Sequence, residues 1–152
     1  EQLMHLVNQR GRATLCCAYG DWTTDYLLSW KKWLHPLGIR PVQQFHYSQG
    51  KNASDATLIM DVMERLHRGR VDGIVAVGGA QGTAMATAAM RALPVGLPKV
   101  MVSTVACGQT TFGPYVGTKD VAMIHSVADI LGLNRVSRRI LAQAAAAVGD
   151  LQ

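Results

Sequence analysis

Apolar residues along this chain follow two rhythms: short, nearly unbroken runs, and longer stretches at three- and four-residue spacing. The first predicts strands and the second helices. Arg12 to Tyr19, around Ala13-Thr14-Leu15-Cys16-Cys17-Ala18, reads as a first strand that Gly20 and Asp21 end. Thr23 or Thr24 then caps a helix, in which Leu27, Trp30, Leu34 and Leu37 form one stripe before Pro36 and Gly38 close it. Pro41 to Tyr47 is a second strand, and Ser48 to Asn52 a polar loop. Ser54 caps a second helix whose apolar face carries Ile59, Met60, Met63 and Leu66. The chain returns over Gly69 to Asp72 to a third strand, Gly73 to Val77. A glycine turn, Gly78 to Thr83, leads into a third helix, Thr83 to Leu93, and Pro94 and Pro98 bracket the turn after it. Lys99 to Val105 is an almost unbroken apolar strand, Ala106 to Asp120 a long loop, and Val121 to Ile124 a short fifth strand. The last helix spans Asn134 to Val148, with Asn134 or Ser137 as its cap.

Strands separated by helices imply βαβ units and a parallel sheet. A run such as Val100 to Val105 implies burial on both faces. The fold expected is α/β: a doubly wound parallel sheet in a flavodoxin- or Rossmann-like three-layer sandwich. With 152 residues, 49% of them hydrophobic, residues 1–152 read as a single domain long enough to bury a substantial core.

Charge and cysteine narrow the setting. Fifteen basic against 10 acidic residues leave a formal charge of +5. The basic residues gather as Arg10/Arg12, Lys31/Lys32, Arg65/Arg68/Arg70 and Arg135/Arg138/Arg139. Such groups attract phosphate, but no basic stripe interleaved with aromatics accompanies them, so a nucleic-acid partner is not expected. Three cysteines, Cys16, Cys17 and Cys107, give no disulfide framework, which fits a reducing, cytoplasmic setting. The sequence holds no 18-residue apolar stretch and no signal-peptide pattern, so no membrane association is expected. His5, His35, His46, His67 and His125 are scattered without ligand spacing, and no metal site is expected.

In open parallel sheets, ligands collect at the carboxyl ends of the strands. Three loops should meet there. One carries Gly20, Asp21 and Thr23, the second is Gly78 to Thr83, and the third holds Ser103, Thr104, Cys107, Gly108, Gln109 and Thr110. The second is the most informative: a strand, a glycine turn and a helix start together let backbone N–H groups approach a phosphate. No Lys follows its last glycine and the G-x-G-x-x-G spacing is absent, so it is neither a P-loop nor a dinucleotide fingerprint. Trp22 reads as a loop residue able to touch a ligand, and Trp30 as core. His46 and His125, near strand ends, and Asp21 are the acid–base candidates. Cys107 lacks an identifiable base, and no G-x-S-x-G elbow occurs. Small hydroxyl and amide residues suit binding more than catalysis. Three functions stay open: a nucleotide-binding domain, a lobe of an enzyme acting on a small phosphorylated or carboxylated metabolite, and a structural or interaction domain.

The run Lys99-Val100-Met101-Val102-Ser103-Thr104-Val105-Ala106-Cys107-Gly108-Gln109-Thr110 resembles the Tm-1-like ATP-binding family, of the UPF0261 type. Val77-Gly78-Gly79-Ala80-Gln81-Gly82-Thr83 is similar to its glycine motif. Leu93 to Lys99, Tyr115 to Asp120 and Asp129 to Asn134 match in the right order, so the likeness covers about Asp72 to Ala147. Before Asp72 it is looser, and Trp22 and Thr23 stand where the family often carries Thr and Lys. The resemblance implies the first of two Rossmann-like lobes, with ATP as ligand, with or without Mg²⁺. It implies a second lobe on the same or another chain, and association as a homo-oligomer. Carried over by position, Gly78, Gly79, Gly82 and Thr83 would face the phosphates. Ser103, Thr104, Gly108, Gln109 and Thr110 would line the adjoining wall. Asp21 would keep the acidic position of the first loop, available to a ribose hydroxyl or hydrated Mg²⁺.

Overall fold

The computed structural model describes residues 5, 8–9, 13, 16–43, 53–69, 71–128 and 134–149. Its strands are β1 (Cys17–Gly20), β2 (Arg40–Gln43), β3 (Ile74–Gly78), β4 (Lys99–Ser103) and β5 (Ala122–His125). The helices are α1 (Asp25–Leu34), α2 (Ala53–His67), α3 (Ala80–Ala92), α4 (Gly113–Val116) and α5 (Arg135–Gly149). Every strand pair is parallel, and the chain is α/β and Rossmann-like. Among the described residues, hydrogen bonding divides the strands into two sheets, β1-β2 and β3-β4-β5.

Two-residue alternation explains the larger sheet. On one face Val75, Val77, Val100, Val102 and Ile124 meet Leu141, Ala144 and Val148 of α5. On the other, Ile74, Ala76, Met101 and Met123 meet Ala86 and Met90 of α3. All five residues of β4 are buried, as expected of a central parallel strand covered on both sides. Burying one such Val or Met side chain stabilises by roughly 1.5–3 kcal/mol. α5 begins with a reciprocal cap. Asn134 Oδ1 accepts from the N–H groups of Val136 at 2.8 Å and Ser137 at 2.9 Å, and Ser137 Oγ accepts from Asn134 N–H at 2.8 Å. Asn134, rather than Ser137, is the cap residue.

Several expectations shift. α3 starts at Ala80, not Thr83, so Gly82 and Thr83 lie in its first turn; Gly79 O takes the first helical bond, from Thr83 N–H at 2.8 Å. Ser54 lies inside α2 rather than at its cap. Met60 is 70% exposed and leaves the apolar face of α2. Ile59, Met63 and Leu66 hold that face with Val62, because three- and four-residue steps keep them on one side while Met60 sits a quarter-turn away. Trp22 is buried, not offered to a ligand: its Nε1–H donates to Val42 O at 3.0 Å and its backbone N–H to Gln43 Oε1 at 3.0 Å. That indole seals the join between the β1–α1 turn and the end of β2. β4 stops at Ser103 rather than Val105, and the long loop after it contains α4. β5 is shifted by one residue, to Ala122–His125.

The apolar-looking fourth strand opens on a buried charge. The Lys99 side chain is fully buried, and its Nζ donates to Asp120 Oδ1 and to Leu97 O, both at 2.8 Å. Asp120 Oδ2 also accepts from Gly96 N–H at 2.8 Å. This cluster fastens the amino edge of the sheet, opposite the edge that carries the glycine turn. At β1, Tyr19 OH donates to Asp61 Oδ2 at 3.1 Å and Arg40 Nη2 donates to the same oxygen at 2.8 Å, tying β1 and β2 to α2. The readings made for Arg12, Leu15, residues 44–52 and the side chain of Trp30 lie outside the described residues.

Candidate functional site

β3 delivers the chain to Gly78, and α3 leaves again at Ala80. Two glycines bridge the reversal for different reasons. A Cβ at Gly78 would stand 3.0 Å from Gly82 Cα and 3.1 Å from Gly82 C, so Gly78 is required by the close approach of strand end and helix. At Gly79 the nearest atom to such a Cβ would be Thr104 Oγ1 at 3.7 Å, and at Gly82 nothing lies within 4 Å. A Cβ would thus make only ordinary contact at Gly79 and meet open space at Gly82. No side chain caps α3. The first-turn N–H groups of Ala80, Gln81 and Gly82 therefore keep their donor capacity, at the positive end of a 13-residue helix. Gly79, Ala80 and Gln81 are exposed.

The hydroxyls around this turn act as fasteners. Thr83 is wholly buried; its Oγ1 donates to Gly79 O at 2.7 Å and lies 2.6 Å from Ser103 Oγ. Ser103 Oγ accepts from Val105 N–H at 3.1 Å, and Thr104 N–H donates to Gly78 O at 3.3 Å. Ser126 N–H reaches Ser103 O at 3.0 Å. The loops after β3, β4 and β5 are thus joined around Ser103. Thr104, half-buried beside Gly79, is the hydroxyl nearest the open side of the turn. Gly108 and Gln109 are exposed farther along the same loop, and Thr110 Oγ1 lies 3.5 Å from Cys107 Sγ.

Asp21 belongs to a different cluster. Its Oδ1 accepts from Thr23 N–H at 3.1 Å, Thr23 Oγ1 at 2.6 Å and Gln43 Nε2 at 2.7 Å, which folds the β1–α1 turn onto β2. That loop sits on the two-stranded sheet, whereas the glycine turn and the Ser103–Thr110 loop share the three-stranded one. His125 ends β5 half-buried, and His46 lies outside the described residues. Sequence reasoning missed Ala80 and Gln81 as backbone donors and Ser126 as a link; the helix start at Ala80, rather than Thr83, was the detail needed.

Perturbed protonation is sparse and explained locally. The Cys107 thiol is pulled below its ordinary value by the Thr110 hydroxyl first, then by backbone N–H groups. Among the described residues no His, Asp or Glu hydrogen-bonds its sulfur, so no base is in place for it. Burial pushes the Cys16 thiol up. Burial also raises the Tyr19 hydroxyl, with Cys17 and Asp61 adding to it. Among the described residues no group of three or more His, Cys, Asp or Glu is placed to hold a metal, and no described helix is long and apolar enough to cross a membrane. The donor set at the turn fits phosphate oxygens through N–H groups.

An α/β Rossmann-like domain with an uncapped, glycine-rich strand-to-helix turn at its carboxyl edge is the class that fold and site define. Residues 46–151 match the N-terminal domain of an uncharacterised protein family, UPF0261, and the chain belongs to that family. It is 56% identical over 78 residues to a UPF0261 protein of Clostridium tetani, covering 51% of this chain and 19% of the relative. A UPF0261 protein of Rhizobium meliloti is 57% identical over 81 residues, covering 53% of this chain and 20% of the relative. The ToMV resistance protein Tm-1(GCR237) of Solanum lycopersicum is 48% identical over 79 residues, covering 52% of this chain and 10% of that protein. The matched stretch is thus about a fifth or less of each of these relatives.

Proposed function

We propose that this domain binds a nucleotide, ATP or a related adenine nucleotide, with its phosphates against the Gly78–Thr83 turn. The observation that carries the reading is the uncapped start of α3, where the N–H groups of Ala80, Gln81 and Gly82 face space that no Cβ fills at Gly79 or Gly82. A parallel sheet that ends there is where such ligands bind, and helix N-termini favour phosphate through aligned N–H groups and the dipole. A net charge of +5 draws polyphosphates from a distance. In this reading Thr104 and the exposed Gly108 and Gln109 supply the neighbouring wall, while Thr83 and Ser103 hold the turn in shape. Asp21 stays a candidate for a ribose hydroxyl or hydrated Mg²⁺ through a carboxylate oxygen. Partners in this reading are the nucleotide, a second lobe and a further copy of the chain, in a cytoplasmic setting.

Thermal unfolding with ATP, ADP, AMP and buffer, with and without Mg²⁺, tests it. A ligand at a hundred times its Kd adds about 2.7 kcal/mol, a rise of roughly 2–6 °C for a domain of this size. A rise with ATP that Gly82→Ala removes supports the site. No rise with any nucleotide at millimolar concentration sinks the reading for this domain by itself.

A further inference from the structure

We propose that Arg135, Arg138 and Arg139 form a second anion site, separate from the glycine turn, that takes a compact, multiply charged phosphate group. With Asn134 they line an open hollow of about 490 Å³ at the start of α5. The spacing of three and four residues sets the three side chains next to one another on one side of the helix. All three are exposed, and among the described residues none enters an ion pair. The helix they start, Arg135-Val136-Ser137-Arg138-Arg139-Ile140-Leu141-Ala142-Gln143-Ala144-Ala145-Ala146-Ala147-Val148-Gly149, contains no Asp or Glu.

Three guanidinium groups in that position oppose two forces at once. Neighbouring like charges on a helix repel, and cations are disfavoured at the positive end of the dipole. An anion in the hollow relieves both. The helix end itself is not the ligand: Asn134 Oδ1 already takes the Val136 and Ser137 N–H groups. The arginine forks must do the holding, and their planar paired donors match phosphate oxygens. A polynucleotide fits less well, because it is bound along a basic groove interleaved with stacking aromatics. Here three arginines line one hollow, and among the described residues no aromatic side chain lines it. Among the described residues, none of the glycine turn or of the loop after β4 lines the hollow, and α3 and α5 pack on opposite faces of the β3-β4-β5 sheet.

The test is calorimetric titration of the full chain with pyrophosphate at low salt, in Gly82→Ala and in that variant carrying Arg138→Gln/Arg139→Gln or Arg138→Lys/Arg139→Lys. In the Gly82→Ala background, which takes away the glycine turn's share, saturable binding is expected, weakened at least about tenfold when the glutamine pair is added. The lysine pair keeps the charge but loses the fork, and its binding should fall between the two. Melting curves of the arginine variants, expected to match the Gly82→Ala parent because these positions are exposed, check that the fold is intact. Absence of saturable heat at millimolar pyrophosphate overturns the proposal. So does unchanged affinity in the glutamine pair, or tighter binding of a single-stranded oligonucleotide at the same phosphate concentration.

Discussion

The hydroxyls of Thr83 and Ser103 lie 2.6 Å apart with no solvent access, joining the first turn of α3 to the last residue of β4. Each is also bound elsewhere, Thr83 to Gly79 O and Ser103 to Val105 N–H. Replacing one partner strands a buried polar group. Thr83→Val or Ser103→Ala alone should each cost about 1–3 kcal/mol. The double variant should cost clearly less than the sum, a coupling that urea unfolding of the four proteins measures. Strict additivity would mean the two hydroxyls do not depend on each other.

Gly78 and Gly82 should respond in opposite ways to the same substitution. Gly78→Ala drives a Cβ against the backbone of Gly82 at 3.0 Å, and unfolding should occur at lower temperature. Gly82→Ala meets open space inside a helix, so it should stabilise by roughly 0.5–1 kcal/mol through helix propensity. Yet the methyl group stands where a phosphate would approach. A variant that melts higher alone and gains less from ATP separates binding from folding in one experiment.

Acid should loosen the amino edge of the sheet. Lys99 and Gly96 hold the Asp120 carboxyl down at about 2, against an ordinary 3.8. A depressed carboxylate contributes its full stability above the unfolded value and loses it as pH falls towards the folded one. The contribution is therefore complete at neutral pH and fades between about pH 4 and pH 2. Asp120→Asn should lower the urea midpoint at pH 7 by leaving the fully buried Lys99 ammonium without its counter-charge, and should narrow the gap between pH 7 and pH 3. Adding Lys99→Met should restore much of the loss, since apolar replacements of buried pairs are often neutral.

Val127 occupies φ 62°, a left-handed conformation that β-branched residues rarely adopt. It is the middle residue of a tight turn in which Ala128 N–H reaches Ser126 O at 2.7 Å, and its side chain is 63% exposed. Strain of this kind costs about 1–3 kcal/mol. Val127→Asn, which tolerates the geometry, should raise the melting temperature with no loss of packing. An unchanged or lower value would show that the turn relaxes around valine.

The reach of the sequence is clearest where periodicity and burial coincide. β3, β4 and α5 were legible because Val75, Val77, Val100 and Val102 alternate against a stripe on α5 through Leu141 and Ala144. Element ends were harder. The start of α3 at Ala80 carries no capping side chain, and without one no residue type marks it; Thr83 is the first that resembles a cap. Met60 was misplaced because composition does not tell which apolar residues of a helix turn inward. Trp22 was misread because its partners, Val42 and Gln43, lie some twenty residues away on another strand. Lys99 hid in an apolar run because its counter-charge, Asp120, is supplied by a distant loop. The glycine turn was visible as a motif, but its hydroxyl fasteners became assignable only when β4 was laid beside β3.

The uneven burial of the strands has a consequence for how the molecule opens. β4 is sealed along all five residues and bonded on both sides, whereas no residue of β1 or β2 is fully buried. Backbone amides in Val100 to Val102 should exchange with deuterium only through global unfolding, while those of Ala18 to Val42 exchange through cheaper partial openings. A protease acting on native protein would then cut first on the amino-terminal side and leave a resistant remnant built on β3, β4, β5, α3 and α5. Both the glycine turn and the arginine hollow would survive in that remnant. The most durable part of the domain is therefore also the part that carries both features proposed to take a ligand.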